Sequence, residues 1–144
     1  MKIEEQVLSI EQMKHLQELG VDTSDASMYW VRAKRIIGKQ RNNVLDNEIG
    51  KWSLSLSKSI VHSVDWAVES LPTYTIGDLI EKLPKSIDFG YGEYDLEILI
   101  SGEYIGVQYT SDGDYTPLSY SKPSLIESLY SILCGLAENH KELL

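Results

Sequence analysis

A chain of 144 residues, 42% of them hydrophobic and 24% charged, is long enough for one domain with its own core and too apolar to stay wholly disordered. No apolar run approaches the ~20 residues needed to cross a bilayer, and the start, Met1-Lys-Ile-Glu-Glu-Gln, lacks the basic-then-apolar layout of a secretory signal, so a cytoplasmic protein is expected. The net charge of −9 divides into −1 over residues 1–50 and −8 over residues 51–144, and the seven acidic residues from Ser86 to Ser121 have no Lys or Arg among them, a field that repels phosphate backbones and anionic membranes.

Ser9 to Leu19 reads as a helix: Ser9 and Gln12 form a capping box, Ile10, Met13, Leu16 and Leu19 recur at helical spacing, and Gly20 is the stop. Met28-Tyr-Trp-Val-Arg-Ala is rich in strand formers, and Lys51-Trp-Ser-Leu-Ser-Leu-Ser alternates with period two, so each predicts a strand. Lys58 to Leu71 shows no clear period and is left unassigned. Thr75 with Asp78 opens a short helix with Ile76, Leu79, Ile80 and Leu83 on one stripe, closed by Pro84. Tyr94 to Ile100 and Tyr104 to Tyr109 form a hairpin about Gly102. Ser124 and Glu127 fit a cap for a final helix with Leu125, Leu129, Ile132, Leu133 and Leu136 inward.

The order helix, strand, strand, helix, strand, strand, helix predicts a single α+β domain over residues 1–144, with an antiparallel sheet of about four strands and helices packed on one face. Three segments carry a resemblance: Leu8-Ser-Ile-Glu-Gln-Met-Lys-His-Leu-Gln-Glu-Leu-Gly through Trp30, Pro72-Thr-Tyr-Thr-Ile-Gly-Asp-Leu-Ile-Glu-Lys-Leu-Pro, and Ser124-Leu-Ile-Glu-Ser-Leu-Tyr. They resemble an uncharacterised small protein family of Bacteroidetes genomes and their mobile elements. Those motifs are helix caps and core stripes, so the resemblance implies a fold and brings no activity with it.

Constellations that carry chemistry are missing from the pattern. His15, His62 and His140 stand apart, without a second His or Cys at zinc-ligand spacing. His62, Ser63 and Asp65 lack a nucleophile elbow, and Asp112-Gly-Asp114 lacks the later ligands of a calcium loop. Gly90-Tyr-Gly92 lacks the third glycine and following helix of a phosphate loop. Cys134, the single cysteine, excludes an intrachain disulfide and reads as core. No catalytic residue, cofactor or metal is expected, and the chain is read as not an enzyme.

Tyrosine is the informative residue type. Tyr91, Tyr94, Tyr104, Tyr109, Tyr115 and Tyr120 crowd the acidic stretch. Strand alternation sends Leu96, Ile98, Ile100, Ile105, Val107 and Tyr109 to the core and leaves Asp95, Glu97, Tyr104 and Gln108 on the opposite face, an acidic and aromatic surface suited to a protein partner. Arg32, Lys34, Arg35, Lys39 and Arg41 form the one basic cluster. In a homodimer, Arg32, Arg35 and Arg41 of one subunit would face Asp95, Glu97 and Tyr104 of the other. The reading is a non-catalytic protein-interaction or regulatory module. The alternative is a small-ligand-binding protein or enzyme with a site built from scattered groups such as His62, Asp65, Tyr74 and Asp78. A weaker one is nucleic-acid binding through Arg32 to Arg41.

Overall fold

Ser9 caps α1 (Ile10–Glu18): its side chain accepts from the Gln12 backbone N–H at 3.2 Å, and the Ser9 N–H donates to Gln12 Oε1 at 2.9 Å. Gly20, at φ +83°, takes the left-handed conformation that closes the helix. The computed structural model describes residues 2–35, 50–57, 66–111 and 115–144. In chain order α1 is followed by β1 (Met28–Arg35), β2 (Ser53–Ser55), β3 (Trp66–Thr73), α2 (Ile76–Lys82), β4 (Ser86–Asp88), β5 (Glu93–Ser101), β6 (Tyr104–Ser111), β7 (Tyr115–Lys122) and α3 (Leu125–Asn139).

The class is α+β, and its strands form two antiparallel sheets, ordered β2-β1-β3 and β4-β5-β6-β7. Each expected strand pair therefore gains further partners. In the first sheet β1 pairs with β2 and, along its whole length, with β3. The aperiodic Lys58–Leu71 stretch conceals β3 because Pro72 sits within that strand, opposite Tyr29. Proline is tolerated there because β3 is an edge strand. In the second sheet β7 is likewise an edge strand, and Pro117 falls where the register against β6 shifts between Tyr109 and Ser111, a bulge that absorbs its missing N–H.

The N-terminal segment joins the first sheet to the helices. The Leu8 carbonyl accepts from Thr73 Oγ1 at 2.7 Å and from the Trp30 indole at 2.9 Å, and the Leu8 N–H donates to the Tyr74 carbonyl. Leu8, Met13, Leu16, Tyr74, Leu79, Val107, Tyr109, Leu129, Ile132, Leu133 and Leu136 make one core, each without exposed surface. α1 packs on β3 and α3, while α3 lies across β6 and β7 and against α2. That contact is the one the Leu129, Ile132, Leu133 and Leu136 stripe calls for. No helix among the described residues is long and apolar enough to cross a membrane.

Candidate functional site

The β5–β6 hairpin turns through Gly102, at φ +61°, and its register sets Ser101 opposite Tyr104, Leu99 opposite Gly106, Glu97 opposite Gln108 and Asp95 opposite Thr110. Directly opposed residues share a face. The acidic face expected from alternation is therefore present: Asp95 and Tyr104 are exposed, and Glu97 is half-buried. Ser119 Oγ donates to Gln108 Oε1 at 3.4 Å, and Gln108 Nε2 donates to Glu97 Oε2 at 3.2 Å, so a polar ladder crosses three strands and fixes the Glu97 carboxylate.

The opposite face departs from expectation. Val107 and Tyr109 are fully buried and Leu96 packs against the core, but Ile98 is 41% and Ile100 79% exposed. Alternation places both on the core side. The core does not extend that far, because α3 covers β6 and β7 and scarcely reaches β5. Leu99, on the acidic face, is 43% exposed because its cross-strand neighbour is Gly106, which has no side chain to lay over it. The end of the hairpin is thus uncovered and apolar on both faces, through Ile98 and Ile100 on one and through Leu99 and Tyr104, alongside Asp95 and Glu97, on the other. Sequence reasoning passed over Leu99, although the pairing dictated by a turn at Gly102 sets Gly106 beside it.

Of the three arginines expected to meet this surface across a dimer, Arg32 is engaged within its own subunit. Arg32 Nε donates to Glu69 Oε2 at 2.7 Å, and its guanidinium lies 4.4 Å from the centre of the Trp52 ring, so its charge is matched on its own sheet. Arg35 ends β1 opposite Trp66, and Arg41 lies outside the described residues. With Arg32 engaged and the chain at −9, duplex DNA should bind no tighter than about micromolar at physiological salt. A mobility-shift titration checks this, and submicromolar, steeply salt-dependent binding would reverse it.

Of the scattered polar candidates, His62 and Asp65 lie outside the described residues. Tyr74 and Asp78 are hydrogen-bonded to neighbouring segments. The buried Tyr74 hydroxyl donates to the Asp22 carbonyl at 2.8 Å and is 2.6 Å from Asp25 Oδ1, with Lys82 Nζ bridging the same two residues. Asp78 accepts from the Thr75 N–H at 2.9 Å and from the Ser27 N–H and hydroxyl. Burial raises the Asp78 pKa, but these bonds outweigh it and hold the carboxyl below its ordinary value. Among the described residues no three His, Cys, Asp or Glu side chains form a metal-binding group.

A separate groove of about 560 Å³ opens where the N-termini of α1 and α3 meet β1, with Val7, Trp30 and Ile126 among its apolar lining and Glu4, Glu5 and Glu127 among its polar lining. Its size suits a small ligand. Its uncharged polar groups are already used: Ser9 and Gln12 cap α1, and Ser124 Oγ accepts from the Glu127 N–H at 3.3 Å. The glutamates are the polar groups left to face a ligand, so the groove favours a cationic one. No family model, curated protein or solved structure matches the chain.

Proposed function

We propose that this chain is a non-catalytic protein-interaction module of the cytoplasm that docks a protein partner on the end of its β5–β6 hairpin. The observation that carries this reading is the uncovered end of the hairpin, with Leu99 and Tyr104 beside Asp95 and Glu97 on one face and Ile98 and Ile100 on the other. Exposed apolar side chains clustered beside charge, rather than scattered singly, mark interaction surfaces. The tyrosine adds a large ring with a hydroxyl that stays solvated at an interface rim. A small ligand in the groove between α1, α3 and β1 is the second reading, favoured by that groove's volume.

The test is comparative affinity capture from a lysate of the producing cell, with wild type and the double reversal Asp95→Lys/Glu97→Lys as baits. Partners retained by the wild type should be lost by the reversal and released by salt. Both carboxylates lie outside the core, so the reversal should keep the wild-type unfolding midpoint to within about 1 kcal/mol of stability. Identical capture by the two baits would overturn the assignment to this hairpin.

A further inference from the structure

The backbone of β5 carries more than an exposed patch. The Leu96 N–H donates outward, away from β6, to the Lys85 carbonyl at 2.9 Å. Backbone direction alternates along a strand, so Ile98 and Ile100 turn their N–H and C=O groups to that same outer side. β4 covers β5 only from Glu93 to Asp95, and no described strand pairs with the outer edge from Glu97 to Ser101. An edge left unpaired by the described residues, with Ile98, Leu99 and Ile100 as its side chains, is a template for strand addition, without the lysine, proline or bulge that usually blunts one.

We infer that the outer edge of β5 accepts an extended, basic segment of a partner protein as an added antiparallel strand, an inference that rests on the hairpin being the docking surface. Charge selects the occupant. Glu97 lies on the edge itself, Asp95 and Glu103 flank it, and no Lys or Arg occurs from Ser86 to Ser121. Lys85, at the β4 end, has its Nζ turned to the Ile80 and Leu83 carbonyls. A second copy brings the same acidic edge rather than its complement: a two-fold axis through Leu99, for example, would set Asp95 opposite Glu103 in both directions, and like charges directly opposed destabilise a strand pair. The guest that fits has apolar residues opposite Ile98, Leu99 and Ile100, a basic residue opposite Glu97 and another near Glu103. Exchanged main-chain bonds with Ile98 and Ile100 supply affinity, and the flanking charges supply register.

The experiment titrates a fluorescent peptide, Lys-Thr-Val-Val-Val-Lys, into the full chain by anisotropy. Wild type should bind it, and binding should weaken with salt. N-methylation of the peptide nitrogens that face β5 should weaken binding about tenfold or more. Ile100→Pro should do the same. The Ile100 N–H points away from β6, so that substitution leaves the β5–β6 ladder intact, which circular dichroism would verify. As a second variant, Glu97→Lys should lose this peptide and gain Glu-Thr-Val-Val-Val-Glu. Equal binding of the N-methylated peptide would overturn strand addition while leaving the hairpin as a docking surface. No binding of either peptide at about 1 mM overturns the inference outright, and the capture experiment then judges the docking surface separately. A wild-type dimer made monomeric by Ile100→Pro would assign the edge to a second copy and also overturn it.

Discussion

Leu133→Ala should cost about 2 to 5 kcal/mol of folding stability, the range for deleting a large side chain from a packed core. Leu133 has no exposed surface and belongs to the cluster in which α3 meets the sheet through Val107 and Tyr109. Truncation removes apolar contact and leaves a cavity that rigid neighbours on both sides cannot close. Leu99→Ala is the matched control. That leucine is 43% exposed beside Gly106, so the same deletion should cost about 1 kcal/mol or less. Denaturant unfolding of the two variants at equal m-value decides it. A cost near zero for Leu133→Ala would place α3 off the sheet.

Alkali should unfold the protein before its buried tyrosines ionise. Tyr74 and Tyr109 have no exposed surface, and both are held well above the ordinary phenol value of 10.0. For Tyr74, burial is the main cause, followed by the hydrogen bond to Asp25 and the charges of Asp25, Asp22 and Asp78. For Tyr109, which donates to the Pro84 carbonyl at 2.7 Å, the cause is burial. The native state thus holds protons that the unfolded chain releases at its ordinary value. The stability these groups supply is complete below pH 10 and declines as pH rises from there toward the raised native values. Each group contributes a slope of up to about 1.4 kcal/mol per pH unit. Two such groups over two units amount to roughly 5 kcal/mol, comparable with the whole stability of many domains. Phenolate absorbance should therefore rise in step with loss of circular dichroism, and Tyr109→Phe should flatten the decline. Full ionisation of all nine tyrosines with the fold intact would contradict the burial of Tyr74 and Tyr109.

Local signals were legible wherever a side chain acts on its own neighbourhood. Ser9 with Gln12, Thr75 with Asp78 and the turn at Gly102 appear as read from spacing alone, because a cap or a tight turn is complete within a few residues. The α3 stripe is equally local in origin, since period 3.6 gathers Leu129, Ile132, Leu133 and Leu136 on one side wherever the helix docks. β3 and β7 were not legible. Their stability comes from pairing with β1 and β6, and Pro72 and Pro117 break the composition by which a strand is recognised.

The candidate site divides in the same way. Alternation assigned Asp95, Glu97 and Tyr104 to one face and Ile98 and Ile100 to the other, and the register agrees. Whether a face is covered is a different matter. Ile98 and Ile100 carry the pattern of core residues and are exposed because α3 ends its cover at β6. Arg32 belongs in sequence to a basic cluster whose counter-charge is not named there, and it is matched by Glu69, thirty-seven residues away on the neighbouring strand. Asp78 and Tyr74, which look available for chemistry, are drawn into bonds with Ser27, Asp22 and Asp25. Side-chain direction is a property of the local chain, so the amino-acid order determines it. Cover and charge matching depend on which distant segment arrives alongside, and only the tertiary structure decides that.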